Sequence, residues 1–320
     1  MVTRPIVVTG CGGFVGAALL PKIGAAFEGV PIIPLVRERH IRADDISLDL
    51  ADEEATLALM ARLRPRCVVH LAAHASVGQA HKRPGGVWHD NRDASYSLAK
   101  AVAATVPDAT VLVSSTSEVY GEAFQHGPVD ETTLPRPRGP YATSKLAGEQ
   151  AFEAVLPASA QLIICRPVNH TGRGQVENFV IPSLAAQVVR SEIGLTPPII
   201  EVGNLAARRD FLDVTDVIDA YIALLKRAQD LPQRTILNVA SGRTIAIREI
   251  LDFFLAQARR PIEERVDKAR LRPNDIPSVE VRTDRLAELI AWPPKRSLES
   301  TLLEVLDDKR RSLSGRQAAC

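Results

Sequence analysis

The chain predicts an α/β protein of the Rossmann type: a doubly wound parallel sheet covered by helices, with a smaller C-terminal α/β lobe. Three observations carry this prediction. Apolar, β-rich runs alternate with helix-period stretches through the first half. Those runs are continuously apolar, as strands buried on both faces must be. A glycine-rich turn joins the first run to the first helix, where doubly wound folds bind dinucleotides.

Taken in order, Pro5–Thr9 (PIVVT) reads as a strand, Gly10–Gly16 (GCGGFVG) as a turn and Phe14–Phe27 as a helix. Pro31–Val36 is a second strand, followed by Arg37, Glu38 and Arg39. Glu53–Leu63 is helical. Cys67–Ala73 is a third strand, and His89–Ala104 a helix with Asn91 near its start. Ala109–Ser114 is a strand, Pro140–Leu156 a helix, and Gln161–Arg166 the last clear central strand. After Pro167, loops with Gly and Pro become frequent. Strands there are short, at Ile199–Val202 and Ile236–Val239. Helices are expected at Phe179–Ser191, Asp216–Arg227, Arg248–Ala258 and Leu298–Asp308. Residues 1–167 are thus expected to bind a dinucleotide and carry the catalytic groups, with residues 168–320 a smaller, interleaved lobe. The polar tail from Lys309 is expected to fray.

Composition excludes several classes. The 320 residues are 46% hydrophobic and 24% charged, an ordinary soluble mixture. Net charge is +1, from 39 basic and 38 acidic residues, so neither nucleic acid nor an anionic membrane is an expected partner. No apolar run reaches the ~18 residues of a membrane span. A strand begins almost at once, so no signal peptide is expected. Cys11, Cys67, Cys165 and Cys320 have no metal or redox spacing and read as reduced thiols of a cytoplasmic protein. His70 and His74 are four apart, but His70 is on a strand, and no Cys/His cluster is present. No metal is expected.

Gly10, Gly13 and Gly16 form G-x-x-G-x-x-G between strand and helix. Glycines there let the backbone turn sharply and approach a pyrophosphate, which meets the free N–H groups of the helix start. Arg37 and Arg39 close the second strand, where an acidic residue would hold the ribose 2′-OH of NAD. Arginine suits a 2′-phosphate, so NADP(H) is favoured over NAD(H). Asp49 either contacts the adenine or caps the next helix.

Ser114–Lys145 offers the hydroxyl of Thr116, the phenol of Tyr141 and the ammonium of Lys145. Tyr141 and Lys145, four apart, share a helix face. A neighbouring cation is expected to move the phenol from its ordinary value near ~10 towards the working range. The trio suits proton transfer to or from a carbonyl or alcohol oxygen, with hydride coming from the dinucleotide.

The stretches TGCGGFVG, HLAAHASV, SSTSEVYG and YATSK together resemble the extended short-chain dehydrogenase/reductase family. RPVNHTGRGQ, NFVIPSLAAQ, VGNLAARRDFLDVTDV, NVASG and RPNDIP resemble its nucleotide-sugar enzymes, and among these the GDP-4-keto-6-deoxy-D-mannose reductases, which make GDP-D-rhamnose. The resemblance spans about Ile6 to Leu306. It implies Tyr141 as proton donor, Thr116 beside it, and Lys145 on the nicotinamide ribose. Phe14, Val15, Leu50, His70, Leu71, Ala72 and Ala73 would lie along the cofactor. His74, Ser115, Asn169, Asn178, Val180, Arg209 and Arg272 would meet a GDP-sugar, with Arg208 an alternative to Arg209. Enzymes of this kind commonly dimerise through the helices corresponding to His89–Ala104 and Pro140–Leu156. Glu118 departs from a pure reductase: the Thr-Ser-Glu segment is also similar to that of sugar-nucleotide 4,6-dehydratases. Either Glu118 is catalytic or it orders its loop. Dehydration of GDP-mannose, C4 epimerisation and formation of 6-deoxytalose therefore remain open. A non-catalytic NADP-binding protein would be expected to lack Tyr141 or Lys145. His170 either touches the nucleotide or is an ordinary loop histidine.

Overall fold

The structure, a computed structural model, describes residues 3–37, 45–75, 84–271 and 276–317. β1 (Ile6–Thr9) leads into α1 (Phe14–Ala26), β2 (Ile32–Val36), the short β3 (Ile46–Ser47), α2 (Glu53–Leu63) and β4 (Cys67–His70). α2 begins where the Asp52 carboxylate accepts the Ala55 amide and stops at Arg64 in the left-handed conformation. α3 (Pro84–Trp88), a π-helical turn at His89–Asp93 and α4 (Ala94–Thr105) follow without a break. Next come β5 (Thr110–Ser114), a 3₁₀ segment at Ser117–His126, α5 (Gly139–Val155), β6 (Gln161–Pro167) and β7 (Asn169–Thr171). The remainder is α6 (Val180–Glu192), β8 (Ile199–Val202), β9 (Arg208–Asp213), α7 (Val214–Lys226), β10 (Arg234–Val239), β11 (Thr244–Ala246), α8 (Ile247–Ala256), β12 (Glu263–Val266), α9 (Asp284–Ile290) and α10 (Leu298–Gln317).

Seven strands form one parallel sheet in the order β10-β6-β5-β4-β1-β2-β3. The order reverses at β1, so a crevice opens beyond the carboxyl ends of β1 and β4, where doubly wound folds place ligands. Alternate residues of each strand face opposite layers. Ile6 and Val8 join a core with Leu19, Ile23, Val217 and Tyr221. Val7 joins the other, with Leu59, Leu98 and Phe152. Both layers being dry explains the continuous apolar runs. A third core, built from Leu184, Ile200, Phe211, Phe254 and Leu306 among others, holds the smaller sheets β11-β9-β7 and β12-β8.

Three expectations are corrected. Gln161–Arg166 is not the last central strand, because β10 pairs with β6 in parallel, Ile236 opposite Ile164. The short strand read at Ile236–Val239 starts earlier than expected, at a polar end where Arg234 reaches the carbonyls of Leu156, Pro157 and Ala160. The strand expected to run to Ala73 stops at His70, where the Thr9 hydroxyl takes the amides of Leu71 and Ala72. The tail from Lys309 is helical to Gln317. Lys309 is buried, its ammonium 3.0 Å from the Gln175 carbonyl, and Arg310 grips Glu192 at 2.7 Å. Charged residues with partners read as surface in a sequence.

Candidate active site

Gly10 leaves β1 at φ +71°, and a Cβ there would meet the Ala72 amide nitrogen at 2.6 Å. At Gly16 a Cβ would lie 2.3 Å from the Gly10 carbonyl oxygen. The turn is therefore closed to side chains at both points. Gly13 starts α1 without a side-chain cap, which leaves the first amides of the helix for a ligand. Over this turn lies a cleft of about 250 Å³ lined by Gly10, Gly12, Gly13, Arg37, Asp49, Leu50, Ala72, Ala73 and Asp90, with Leu35, Val36, Leu48 and Ala94 as further walls. A phosphate cradle beside an apolar slot fits a dinucleotide.

Of the other residues assigned to the cofactor by sequence, Phe14, Val15, Gly16 and Leu71 adjoin these lining residues in the chain without being among them. Phe14 stacks on His170, with ring centroids 6.3 Å apart. Arg37 forms an ion pair with Asp90. Asp49 accepts from the Ala51 amide at 3.1 Å and lies 3.2 Å from His89 Nε2; Asp52, not Asp49, caps α2. Glu38 and Arg39 lie outside the described residues. Asp90 had no signal in the sequence, since only the fold brings it to Arg37.

Beyond the ends of β5 and β4 stand the three groups to which the sequence reading assigns the chemistry. Thr116 caps the 3₁₀ segment, its hydroxyl accepting the Glu118 amide at 3.2 Å. Tyr141 and Lys145 occupy successive turns at the start of α5. The Lys145 ammonium donates to the Ser114 carbonyl at 2.6 Å. Burial pushes the Tyr141 phenol up to about 12; a hydrogen bond with Thr116 opposes this and the charge of Glu118 adds to it. Burial also draws Lys145 down to about 8, against the attraction of Glu149. The expected shift of the phenol into the neutral range is not met here: burial, the largest influence on it, acts the other way. The phenol stays protonated at neutral pH, as a proton donor requires.

His70 does not line the cofactor cleft. Its ring is buried between Thr9 Oγ1 at 2.9 Å and Ser95 Oγ at 3.2 Å, and burial holds it neutral, down to about 3. Ser115 turns its hydroxyl into the core, to Glu149. The amide of His74 donates to Asn91 Oδ1 at 2.7 Å, while Asn91 Nδ2 donates to Ser144 on α5 at 2.9 Å. The π-helical turn puts Asn91 in that bridging position, a use to which such turns are often put. A Cβ on Gly148 would meet Ser95 Oγ at 2.9 Å, so α5 lies close against this segment.

A second cleft, of about 260 Å³, is formed by the smaller lobe. Glu118, Asn169, Asn178, Val180 and Arg209 line it, as do Glu177, Phe179, Glu201 and Arg270, which the sequence reading missed. Arg209 also donates to the carbonyls of Arg208 and Ile276, both at 2.8 Å. Arg208 is directed to the Thr244 carbonyl and Glu249, so of the two arginines it is Arg209 that reaches the cleft. Arg272 lies outside the described residues. His170 is held by the Val168 carbonyl at 3.1 Å, and burial lowers its basicity. Glu118 lines this cleft and its charge acts on Tyr141, so the cleft adjoins Tyr141. Among the described residues, no three His, Cys, Asp or Glu are placed to hold a metal ion, and no helix is long and apolar enough to cross a membrane.

Comparison with known proteins agrees with this geometry. Residues 6–240 match the model of the NAD dependent epimerase/dehydratase family. The chain is 32% identical to the GDP-6-deoxy-D-mannose reductase of Pseudomonas aeruginosa over 308 residues, 96% of this chain and 97% of that protein. It is 26% identical to a UDP-glucose 4-epimerase of Rhizobium meliloti, covering 78% and 79% of the two chains. The structure of RMD from Pseudomonas aeruginosa complexed with NADPH superposes with a TM-score of 0.82 at 32% identity, over 97% of this chain and 100% of that one. With the glycine turn, the doubly wound sheet and the Thr116–Tyr141–Lys145 cluster in place, the chain belongs to the NAD dependent epimerase/dehydratase family.

Proposed function

We propose that the protein reduces the 4-keto group of GDP-4-dehydro-6-deoxy-D-mannose to give GDP-D-rhamnose, using NADPH in preference to NADH. The observation that carries this reading is the buried Tyr141 phenol, hydrogen-bonded to Thr116 and next to a cleft lined by Arg209 and Arg270. The 32% identity to a GDP-6-deoxy-D-mannose reductase supports the substrate. Arg37 in the first cleft supports NADPH. When bound, the nicotinamide supplies hydride to the sugar C4. Tyr141 gives its proton to the alkoxide that forms, and Thr116 donates a hydrogen bond to the same oxygen. Lys145 stabilises the phenolate left behind. Arg209 and Arg270 hold the diphosphate, and Asn169, Asn178 and Val180 fix the rest of the nucleotide, so remote binding orients the sugar. In this reading residues 1–167 carry cofactor and catalysis, residues 168–320 mainly grip the nucleotide, and two copies pair through α4 and α5.

Glu118 favours a second reading. A carboxylate that reaches both Tyr141 and the second cleft suits GDP-mannose 4,6-dehydration, with cofactor retained. Purified protein is mixed with GDP-4-keto-6-deoxy-D-mannose and NADPH, and nicotinamide absorbance is followed. Loss of absorbance with a 6-deoxyhexose product by NMR supports the reductase and separates rhamnose from 6-deoxytalose. No loss, with GDP-mannose converted to the keto sugar without added reductant, overturns it in favour of dehydration. No turnover of any nucleotide sugar leaves a cofactor-binding protein without chemistry.

A further inference from the structure

We propose that Glu149 is the positioning residue of Lys145: with Arg166 and Ser115 it forms a buried ion cluster one helical turn from the ammonium, and this cluster anchors the strand end whose carbonyl the ammonium meets. Naming Lys145 as a catalytic group rests on the function proposed above; the cluster itself rests on geometry. Tyr141, Lys145 and Glu149 follow at i, i+4 and i+8 along α5, so one helix face carries all three. Glu149 is 1% exposed and Arg166, on β6, 3%. The guanidinium reaches both carboxylate oxygens, Nε at 3.1 Å and Nη2 at 2.7 Å, and the Ser115 hydroxyl donates to the same carboxylate.

That arrangement ties three elements together. The Ser115 amide donates to the Cys165 carbonyl at 2.7 Å, locking the end of β5 to β6 beside Arg166. The preceding residue, Ser114, offers its carbonyl to Lys145 at 2.6 Å and its hydroxyl to Tyr221 on α7 at 2.9 Å. The acceptor of the ammonium is thus held from both sides. A buried Arg–carboxylate pair alone is weak evidence for stability or for function. Here the carboxylate lies one turn from a lysine whose basicity burial lowers, and its charge opposes that lowering. The other ionisable groups around the pair do not replace it. His70 is held neutral, Glu153 is raised chiefly by its own burial and by Glu149, and the Tyr120 ring lies 5.0 Å beneath the Arg166 guanidinium. Arg166, as a cation, works against the charge on Lys145.

The test reads the lysine directly. Protein labelled with ¹³Cε-lysine is titrated by NMR, the Lys145 resonance being assigned with a Lys145→Met protein. In Glu149→Gln the Lys145 midpoint is expected about one pH unit or more below wild type. If that variant does not fold, the Glu149→Gln/Arg166→Gln double variant removes both charges and gives a smaller downward shift, because loss of the Arg166 cation offsets part of the loss of Glu149. An unchanged Lys145 titration in a folded variant overturns the proposal. A downward shift supports it whether or not the wild-type protein reduces a keto sugar, so this result and the activity assay fail separately. Where the protein does turn over, the pH–rate profile of Glu149→Gln shifts in parallel, with kcat reduced more than KM is raised; loss of fold would instead move the Lys145 midpoint upward, by exposing it.

Discussion

Gly16 tests the cofactor turn most sharply, because a second glycine of the same helix serves as its control. In Gly16→Ala the new methyl carbon falls 2.3 Å from the Gly10 carbonyl oxygen and 2.7 Å from the Cys11 Cα, both backbone atoms. Neither can swing aside, so the turn must move by about 1 Å to restore van der Waals distance, at an overpacking cost of roughly 3 kcal/mol. The better helix propensity of alanine returns about 1 kcal/mol. The net loss is about 2 kcal/mol, or some ~4 °C in Tm for a chain of this size. A displaced turn also misaligns the amides that meet the pyrophosphate. Two charge-assisted hydrogen bonds at about 1.5 kcal/mol each correspond to a roughly 100-fold weaker Kd for NADPH. In Gly24→Ala the Cβ has nothing within 4 Å, so stability rises by about 0.5–1 kcal/mol and affinity stays the same. Urea unfolding and NADPH fluorescence titration measure both quantities. A Gly16→Ala protein that binds NADPH as tightly as wild type would refute the argument.

Four further outcomes are expected. Tyr141→Phe lowers kcat by about 10²–10⁴ with little change in NADPH affinity; full turnover would remove Tyr141 from the chemistry. Arg37→Ala raises the KM for NADPH about tenfold relative to that for NADH, and an unaltered ratio would mean that Arg37 only pairs with Asp90. Glu118→Gln leaves keto reduction within the wild-type range; its collapse, with loss of water elimination from GDP-mannose, would favour the dehydratase. Burial raises the Asp210 carboxyl to about 6 despite hydrogen bonds from Ser241 and Gly242. Between pH 4 and 6 the folded state then holds a proton that the unfolded chain has released, so this group's contribution to stability falls as pH rises. The difference in unfolding free energy between wild type and Asp210→Asn should drop by roughly 3 kcal/mol over that window and level off above it, and a flat difference in urea titrations would contradict the burial argument.

The first half of the fold was legible because buried parallel strands are apolar on both faces and the glycine turn has no cheaper explanation. The boundaries of α2 were read to the residue, but its cap was not: Asp49 was the candidate, and Asp52 and Arg64 end the helix. β9 was not read, because Arg208 and Arg209 open a strand whose apolar part is short. At the site, the fold brings together Thr116, Tyr141 and Lys145, whose types and spacing the sequence displays, and the glycines close the turn as their pattern implies. Residues joined only by the fold were missed. Asp90 beside Arg37, Arg270 in the second cleft, and the pairing of Glu149 with Arg166 leave no periodic trace. His70 and Ser115 were given ligand-facing roles by the family resemblance, whereas both spend side-chain polar atoms on core partners.

The late arrival of β10 at the sheet bears on how this chain is made. When residue 167 has left the ribosome, β6 still presents an open row of amides and carbonyls, and the layer holding Ile6 and Val8 still lacks the cover of Val217, Tyr221 and Leu224 from α7. Until residues 214–239 follow, the nascent sheet is an unprotected edge next to an uncovered apolar face, the combination that invites association with other chains. The cofactor-binding half is therefore not a cassette that can be cut at 167 and moved. A fragment meant to bind the dinucleotide alone has to carry α7 and β10 with it.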